Sequence, residues 1–362
     1  MSDPRLPLRA GPGQGPGGVP RAIAISPILS ARYRADDLER IRAAAPGARI
    51  VTLSVEGLAD GPIDDVEVLL RGWLSRDAFA RLLVRAPGLE WVHSATAGVE
   101  DSISPMLRGP RLVVTNARGV FSRPIAEYVM TMILAISRRL PELMELQREH
   151  TWQPLEAREL RDVTLGIVGF GSLGRAVASL AGAFGCRVVA TRRTGAGGSA
   201  AMPESAVSGT AADEFRLPFP PRLDRLLGPE GLPELLAESD FVVLAAPLTP
   251  ETENLINDAA IAAMRPGAWL INVARGGLVD ERALLRCLRD GRIGGAVLDT
   301  FRQEPQLPES PFYDMPNVIV TPQTSWSSGR VLDRSIELFC DNLRRFADGR
   351  PLRNIVDPDA GY

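Results

Sequence analysis

The stretch TLGIVGFGSLGRAVASLAGAFGCRVVATRR, residues 164–193, decides the fold. Its centre is the pattern GxGxxG, formed by Gly169, Gly171 and Gly174 between a strand-like run and a helix-forming run. In a strand–turn–helix unit the first glycine permits the tight turn, the second lets the backbone approach a pyrophosphate, and the third lets helix and strand pack closely. The stretch therefore predicts a dinucleotide-binding unit, and the alternative is a glycine-rich turn that binds no ligand.

The residues around these glycines indicate which dinucleotide would bind. The amides of Ser172 and Leu173 open the predicted helix and are expected to face the phosphates. An acid that accepts the ribose hydroxyls of NAD is expected about 20 residues on, at the end of the second strand. That position holds Arg192, followed by Arg193, and a guanidinium can pair bidentately with a 2′-phosphate. We therefore expect NADP(H) to be preferred over NAD(H), unless both arginines are simply solvated at the start of a loop.

Short β-rich runs alternate with helical runs on both sides of this stretch. Before it lie RAIAIS, ARIVTL, VEVLLRG, LEWVHS and RLVVTN, and after it lie DFVVLAAP, AWLINVA, GGAVLD and NVIVTP. Strands that alternate with helices are typical of parallel sheets with crossover helices. We therefore predict an α/β protein with two Rossmann-like or flavodoxin-like parallel-sheet domains.

The alternation, together with the local composition, sets the predicted domain boundaries. Residues 1–19 are rich in Gly and Pro and are expected to be a disordered tail. A substrate-binding domain is predicted at 20–119 and 327–362, because an amphipathic helix follows the last strand and can pack back onto the first domain. The dinucleotide-binding domain is predicted at 120–326, with a flexible insertion at 194–222 that is rich in Gly, Ala, Ser and Pro.

The composition excludes several classes of function. All 41 basic residues are arginine, so a Schiff-base lysine and a P-loop lysine are both excluded. The formal net charge of −3 provides no positive field that would attract nucleic acid. No apolar run approaches the length of a membrane span. Cys186, Cys287 and Cys340 lie far apart, without the paired spacing of a zinc site. We expect a cytoplasmic protein with reduced thiols, no metal, and neither a nucleic-acid nor a membrane partner.

Further segments resemble the D-isomer-specific 2-hydroxyacid dehydrogenase family, in particular its glyoxylate/hydroxypyruvate reductase-like members. These segments are SATAGVE (94–100), PLTPET (247–252), NVARGGLVDE (272–281), LDTFRQEP (298–305) and TPQTSW (321–326). The resemblance implies that a nicotinamide hydride reduces a 2-oxoacid in the cleft between the two domains. A small 2-oxoacid or 2-hydroxyacid is therefore the expected substrate.

The resemblance also assigns roles to residues of this sequence. Arg275 matches the arginine that clamps the substrate carboxylate and polarises the carbonyl, a task that suits a planar guanidinium. The amides of Ala97, Gly98 and Val99 match the loop that holds the carboxylate, and Glu304 matches the acid that pairs with the catalytic base. The alternatives are a surface role for Arg275 and a solvated side chain for Glu304. The positions that match the cofactor side of the family site are Pro247, Thr252, Val273, Ala274 and Asp299.

Position 323 departs from the family pattern. The family has a histidine there that donates a proton to the carbonyl oxygen, whereas Gln323 can donate a hydrogen bond but no proton near neutral pH. General acid catalysis typically contributes about 10²–10⁴-fold. The departure leaves three possibilities: a slow dehydrogenase, a chemistry without proton transfer, or an engineered or degenerate site. The alternative function is a catalytically idle NAD(P)(H)-binding sensor or corepressor-like protein. His93, close to the predicted substrate loop, is either a substitute donor or an ordinary strand residue.

Residues 123–150 are predicted to form one long helical stretch, and its segment 127–136 is apolar on nearly all faces. Such a helix needs more cover than one domain surface provides. The family resemblance implies that this helix helps to form a homodimer, so a homodimer is expected.

Overall fold

The computed structural model describes four parts of the chain, residues 17–28, 33–99, 112–193 and 219–357. The chain divides into two compact units, the first formed by Met1–Val120 with Gly329–Tyr362 and the second by Phe121–Ser328. Most of the predicted tail and of the predicted insertion lies outside the described residues, so both stay predictions. In the described ranges, no helix is long and apolar enough to cross a membrane.

The first unit contains a five-stranded parallel sheet. Its strands are β1 (Ala22–Ile25), β2 (Arg49–Thr52), β3 (Val66–Arg71), β4 (Trp91–Ser94) and β5 (Val113–Asn116). They pair in the order β2-β1-β3-β4-β5, which is the flavodoxin-like order of a doubly wound sheet. Helix α1 (Ala35–Ala44) connects β1 to β2, and helix α2 (Arg76–Arg85) connects β3 to β4.

The second unit contains a seven-stranded parallel sheet. Its strands are β6 (Thr164–Val168), β7 (Arg187–Thr191), β8 (Arg225–Leu227), β9 (Phe241–Leu244), β10 (Trp269–Asn272), β11 (Gly295–Leu298) and β12 (Val318–Val320). Its helices are α3 (Ser122–Ser137), α4 (Leu140–Arg148), α5 (Ser172–Ala183), α6 (Leu232–Glu238), α7 (Asp258–Ala263) and α8 (Glu281–Arg289). The order β12-β11-β10-β9-β6-β7-β8 is the Rossmann order with one strand added beyond β11. The prediction of an α/β protein with two parallel-sheet domains is therefore confirmed.

The central strands of the second unit are apolar on both faces because helices cover both sides of the sheet. Strand β9 shows this directly: Phe241 and Val243 pack into one core cluster, whereas Val242 and Leu244 pack into another. All four residues are buried. The continuous apolar run FVVL thus follows from a strand that has no solvent face.

The last helix, α9 (Val331–Ala347), belongs to the first unit although it follows the second in sequence. Its apolar residues Phe339, Leu343 and Phe346 share a core cluster with Trp91 of β4. The Trp91 ring stacks on Phe339 with a centroid distance of 5.3 Å and on Phe346 with a distance of 5.8 Å. The core of the first unit is therefore completed by a segment from the far end of the chain.

The helical stretch at 123–150 is two helices, so the prediction of one continuous stretch is wrong. Helix α3 ends at Ser137 and α4 begins at Leu140, and Arg139 between them has a left-handed φ of 56°. Pro141 lies in the first turn of α4. Because proline has no N–H and its ring clashes with the carbonyl four residues earlier, a helix cannot continue through this position without a break.

Candidate functional site

The predicted cofactor and catalytic residues of the second unit follow its strands at the carboxyl edge of the sheet. In spatial order they are Arg192 and Arg193 after β7, Gly169–Gly174 after β6, Pro247 after β9, Val273–Arg275 after β10, Asp299–Glu304 after β11 and Gln323 after β12. Parallel strands place all of these turns at one edge, with about 4.8 Å between neighbouring strands. Strand β6 lies where the strand order reverses, and ligands of open α/β sheets bind in the crevice at that point.

The three glycines of the turn after β6 are required for different reasons. Gly169 has a φ of +101°, and a Cβ there would lie 2.7 Å from the Ala246 nitrogen. A Cβ on Gly174 would lie 2.2 Å from the Gly169 carbonyl oxygen, so helix α5 could not pack against the turn. A Cβ on Gly171 would meet no atom of the described residues within 4 Å. Packing therefore explains Gly169 and Gly174, whereas Gly171 leaves open space in front of the helix.

The amino end of α5 lies at this open space, and the amides of Ser172 and Leu173 have no backbone acceptor among the described residues. Gly171 is the N-cap residue and has no side chain to cap the helix. The first amides of any α-helix, here those of Ser172 and Leu173, have no acceptor within the helix, and the helix dipole makes that end positive. The open space, these two amides and the positive helix end together fit the pyrophosphate of a dinucleotide.

The end of β7 is joined to the glycine turn. The amides of Gly169 and Phe170 both donate to the Thr191 carbonyl oxygen, at 3.2 and 3.1 Å. Arg192 follows directly, is half-buried, and donates its backbone N–H to Leu227 of β8 at 3.0 Å, while Arg193 is exposed. The two arginines thus lie beside the turn that fits the pyrophosphate, at the position where the dinucleotide-binding fingerprint has its cofactor-selecting residue.

The loop after β9 is closed by Thr252. Its hydroxyl donates to the Pro247 carbonyl oxygen at 2.8 Å and accepts from the Thr249 amide at 2.8 Å. A hydrogen bond from Thr249 and the nearby charge of Arg193 lower the pKa of Glu251 in the same loop. The structure therefore gives Thr252 a role in shaping the loop and brings that loop near Arg193.

The segment that carries Arg275 is held by Asn272, the first residue of NVARGGLVDE, to which the resemblance assigned no role. The Asn272 side chain donates to the Arg275 carbonyl oxygen at 2.9 Å and accepts from the Ala274 amide at 3.1 Å. Arg275 is half-buried and donates through Nη1 to the Ala274 carbonyl oxygen at 2.7 Å. A Cβ on Gly276 would lie 1.9 Å from the Phe301 carbonyl carbon, so this turn packs directly on the turn after β11.

Asp299 anchors the loop that carries Gln323. Asp299 is only 1% exposed and accepts from the Thr321 hydroxyl at 2.6 Å and from the amides of Thr324 and Ser325 at 2.9 and 3.1 Å. The Tyr128 hydroxyl lies 2.6 Å from the Thr321 hydroxyl and must donate to it, because the proton of Thr321 is used by Asp299. Burial raises the pKa of Tyr128 to about 12, so this donor stays protonated.

Gln323 and Glu304 lie on neighbouring loops but are not hydrogen-bonded to each other. Gln323 has a left-handed φ of 48° and is exposed, and its side-chain amide has no hydrogen-bond partner within the described ranges. The Glu304 carboxylate accepts from the Phe301 amide at 2.9 Å. The pairing of Glu304 with residue 323 that the resemblance implies is therefore absent from the contacts of the described residues.

The loop at 97–99 lies at the carboxyl edge of the first sheet and is also held by side chains. Asn116 donates to the Ala97 carbonyl oxygen at 2.9 Å, and the Thr96 hydroxyl donates to the Gly98 carbonyl oxygen at 2.6 Å. The amides of Ala97, Gly98 and Val99 have no acceptor among the residues that the structure describes. The loop thus combines fixed carbonyl groups with amides that can bind a carboxylate.

The side chain of Asn116 belongs to a hydrogen-bond network that the sequence motifs did not predict. It accepts from the Arg118 amide at 3.2 Å, while Asn354 donates to the carbonyl oxygens of Asn116 and Arg118 at 3.1 and 2.8 Å. Asn354 has a left-handed φ of 56°. The 97–99 loop therefore depends on a residue that follows α9, and no pattern near residue 97 could have identified it.

His93 lies in the core of the first unit. It is fully buried, its Nδ1 lies 2.7 Å from the Thr115 hydroxyl, and its ring lies against those of Trp91 and Phe339. Burial lowers the pKa of His93 to about 3, so the ring is neutral near pH 7. These contacts favour the structural interpretation over a role as proton donor. The described residues also contain no cluster of His, Cys, Asp and Glu that could hold a metal ion.

Comparisons with known proteins agree with this arrangement. The family model described as D-isomer specific 2-hydroxyacid dehydrogenase, NAD binding domain, matches residues 130–215 and 222–325. The chain is 33% identical to the glyoxylate reductase of Thermococcus gammatolerans over 306 residues, which cover 82% of this chain and 84% of that protein.

Two solved structures show the same fold over nearly the whole chain. A D-isomer specific 2-hydroxyacid dehydrogenase from Xanthobacter autotrophicus Py2, solved with NADPH and MES, has a TM-score of 0.78 and 30% identity and covers 96% of this chain and 100% of its own. An NADPH-dependent glyoxylate/hydroxypyruvate reductase from Sinorhizobium meliloti, solved with NADP and sulfate, has a TM-score of 0.73 and 29% identity. The match covers 94% of this chain and 99% of that one.

Proposed function

Because the chain belongs to the D-isomer-specific 2-hydroxyacid dehydrogenase family, we propose that it uses NADP(H) to interconvert a small 2-oxoacid and its D-2-hydroxyacid. The resemblance seen in the motifs is thereby confirmed for the family and for its NAD(P)-dependent oxidoreductase class. The observation that carries the proposal is the open space at Gly171 in front of α5, next to Arg192 and Arg193, which follow β7.

The cofactor proposal assigns each part of this edge to a part of the dinucleotide. The turn Gly169–Gly174, with the amides of Ser172 and Leu173, holds the pyrophosphate. Arg192 and Arg193 pair with the 2′-phosphate, which distinguishes NADP(H) from NAD(H). The positions proposed to line the rest of the cofactor are Pro247, Thr252, Val273, Ala274 and Asp299. When bound, the reduced nicotinamide supplies the hydride.

The substrate proposal rests on Arg275 and the amide loop. The Arg275 guanidinium binds the 2-carboxylate and polarises the carbonyl, because two parallel N–H donors match a carboxylate. The amides of Ala97–Val99 are proposed to bind a carboxylate of the substrate. Gln323 donates a hydrogen bond to the carbonyl oxygen through its amide but supplies no proton, and Glu304 has no histidine to pair with. Reduction of a 2-oxoacid is therefore expected to be slower than in a site with the histidine.

The experiment that tests the proposed function is an NADPH oxidation screen. Glyoxylate, hydroxypyruvate, pyruvate and bulkier 2-oxoacids are each mixed with the protein and NADPH, and absorbance at the nicotinamide band is followed. Oxidation that depends on a 2-oxoacid supports the proposal. Tight NADPH binding with no turnover of any 2-oxoacid would instead favour an idle NAD(P)(H)-binding sensor or corepressor-like protein, the candidate that Gln323 keeps open.

We also propose a homodimer formed through the α3–α4 region. Helix α4 exposes Leu140, Leu143 and Met144, at 48%, 39% and 47% of their surface, and Trp152 just beyond it is 100% exposed. One face of α3 is already covered, since Val129 and other residues lie in the core of the second unit. An uncovered apolar surface of this kind typically marks a protein interface.

The compartment that we propose is the cytoplasm. The cysteines Cys186, Cys287 and Cys340 are all free thiols, and burial raises the pKa of Cys186 and of Cys340 to about 11. Thiols that remain protonated and unpaired fit a reducing compartment.

A further inference from the structure

Gln323 is the feature of the site that reduction of a 2-oxoacid does not explain. It lies at the carboxyl edge of the second sheet, is exposed, and has no side-chain hydrogen-bond partner within the part of the chain that the structure describes. An amide offers both a hydrogen-bond donor and an acceptor, but no proton that it can release near neutral pH. A residue of this kind suits a reaction that needs a hydrogen bond from this position and no proton.

We propose that the site also reduces 2-imino acids, bound as the iminium cation. This inference rests on the proposed function for its cofactor and for the position of Gln323. In an iminium acid, the atom double-bonded to carbon 2 is a protonated nitrogen. Its N–H group can donate to the Gln323 amide oxygen, whereas an imidazolium at this position has only donors and would face the nitrogen with a like charge.

The hydride step on an iminium balances without a proton donor. The imine carbon gains a hydride from reduced nicotinamide dinucleotide, and the π pair of the C=N bond becomes the lone pair of a neutral amine. The amine takes its extra proton from solvent afterwards. The same step on a carbonyl places the π pair on oxygen, and the resulting alkoxide must receive a proton in the site. The absence of a proton donor at position 323 therefore slows the reduction of a carbonyl but not the reduction of an iminium.

The charges on the loops around Gln323 also favour a cationic reacting group. Asp299 is a buried carboxylate whose described hydrogen bonds come from a hydroxyl and from backbone amides. Glu304, on the turn after the same strand, accepts from a backbone amide. All of these donors are neutral groups, and the cation of the same turn, Arg302, is paired with Glu253 at 3.4 Å. In the proposed function the guanidinium of Arg275 binds the 2-carboxylate of the substrate, so that its positive charge is paired there.

The fold does not dictate the choice of glutamine at position 323. The backbone there is left-handed, with a φ of 48°, and its N–H donates to the Thr321 carbonyl oxygen at 3.0 Å. Histidine is among the residues enriched in this backbone region, together with Asn and Asp. A histidine would therefore fit the same loop, and the choice of Gln323 bears on the reaction.

Equilibrium binding of two matched analogues tests the proposal without turnover. Oxamate mimics a 2-oxoacid, and its amidinium counterpart, with NH2⁺ in place of the amide oxygen, mimics the iminium acid. Calorimetric titration of the NADPH-saturated protein at pH 6 should show the amidinium binding roughly 10-fold more tightly than oxamate. Gln323→His should reverse this order, because an imidazole with an ordinary pKa of about 6.5 is mostly charged at that pH.

Turnover gives a second measurement with a matched control. NADPH oxidation is compared for a stable cyclic 2-imino acid and for the best 2-oxoacid. The ratio of kcat/KM for the imino acid to that for the oxoacid should fall about 10²-fold in Gln323→His, since the histidine restores proton transfer to the carbonyl. Arg85→His introduces a histidine at an exposed position of α2, away from the site, and should leave the ratio unchanged.

The outcomes separate this inference from the proposed function. If the unmodified protein binds oxamate as tightly as the amidinium, or more tightly, the inference is overturned. If it reduces 2-oxoacids as fast as Gln323→His does and does not reduce the imino acid, the inference fails and the proposed function stands. If it binds NADPH but neither analogue and reduces neither substrate, both fail.

Discussion

Replacing Gly171 by alanine should separate cofactor binding from folding. Gly171 has φ −87° and ψ −154°, which alanine adopts without strain. A Cβ there would meet no atom of the described residues within 4 Å, so the stability of the protein alone should change by less than about 0.5 kcal/mol. The methyl group would occupy the open space in front of α5, where the proposed function places the pyrophosphate.

The size of the binding loss follows from the hydrogen bonds that would be broken. A dinucleotide displaced by the methyl group loses its contacts with the amides of Ser172 and Leu173. Each hydrogen bond to a charged group contributes about 1.5 kcal/mol or more, so the two together contribute about 3 kcal/mol. That corresponds to a dissociation constant for NADPH that is about 100-fold weaker.

Gly174→Ala is the matched control, because its Cβ would lie 2.2 Å from the Gly169 carbonyl oxygen. Overpacking of this kind should destabilise the protein by about 1–3 kcal/mol or more, with or without cofactor. Thermal unfolding without NADPH and fluorescence titration with NADPH are measured on both variants. Unchanged NADPH affinity in Gly171→Ala, or a fall in Tm as large as that of Gly174→Ala, would refute the reasoning.

Four other changes have defined expected outcomes. Arg192→Asp should weaken NADPH binding about 10-fold or more and strengthen NADH binding, because a carboxylate repels the 2′-phosphate and accepts from ribose hydroxyls; equal dissociation constants for the two cofactors in the unmodified protein would contradict the cofactor proposal. Gln323→His should raise kcat on the best 2-oxoacid about 10²-fold and introduce a dependence on pH, with little change in KM; a flat pH–rate comparison would count against the assigned position. Trp152→Glu should shift a dimer to a monomer in sedimentation, and a monomer already present in the unmodified protein at micromolar concentration would rule out the dimer. His93 has a pKa of about 3 when folded and about 6.5 when unfolded, so the unfolded state binds the extra proton and stability falls as the pH drops below about 6.5. The loss should reach roughly 2 kcal/mol by pH 5 and be absent from His93→Gln, as followed by denaturant unfolding; equal pH slopes for the two proteins would show that His93 titrates normally.

The dinucleotide turn could be predicted because all of its causes lie within a few residues of one another. The clash that requires Gly174 is with the carbonyl of Gly169, and the turn joins a strand and a helix that are adjacent in sequence. The alternation of short apolar runs with helical runs predicted parallel sheets in the same way, but it did not predict the order of their strands. Local spacing carries this information, so the sequence alone is sufficient to locate the turn and its α/β context.

The hydrogen bonds that hold the loops of the site could not be predicted, because they join residues that are distant in sequence. Tyr128 reaches Thr321 across 193 positions, and Asn354 reaches Asn116 across 238. Neither pair has a pattern near either member, since a hydrogen bond between distant residues leaves no periodicity. Only the folded chain shows that Asp299 holds the Gln323 loop and that Asn116 holds the 97–99 loop.

The sequence by itself determined the two parallel sheets, the glycine turn and the family of the chain, because each of these depends on local spacing. The tertiary structure decided whether His93 is a buried core residue or a proton donor. Alternation along β4 tells which neighbours share a face, but not whether that face is covered. The cover comes from Phe339 on α9, nearly at the end of the chain, and the burial that it provides keeps the imidazole neutral and inside the core.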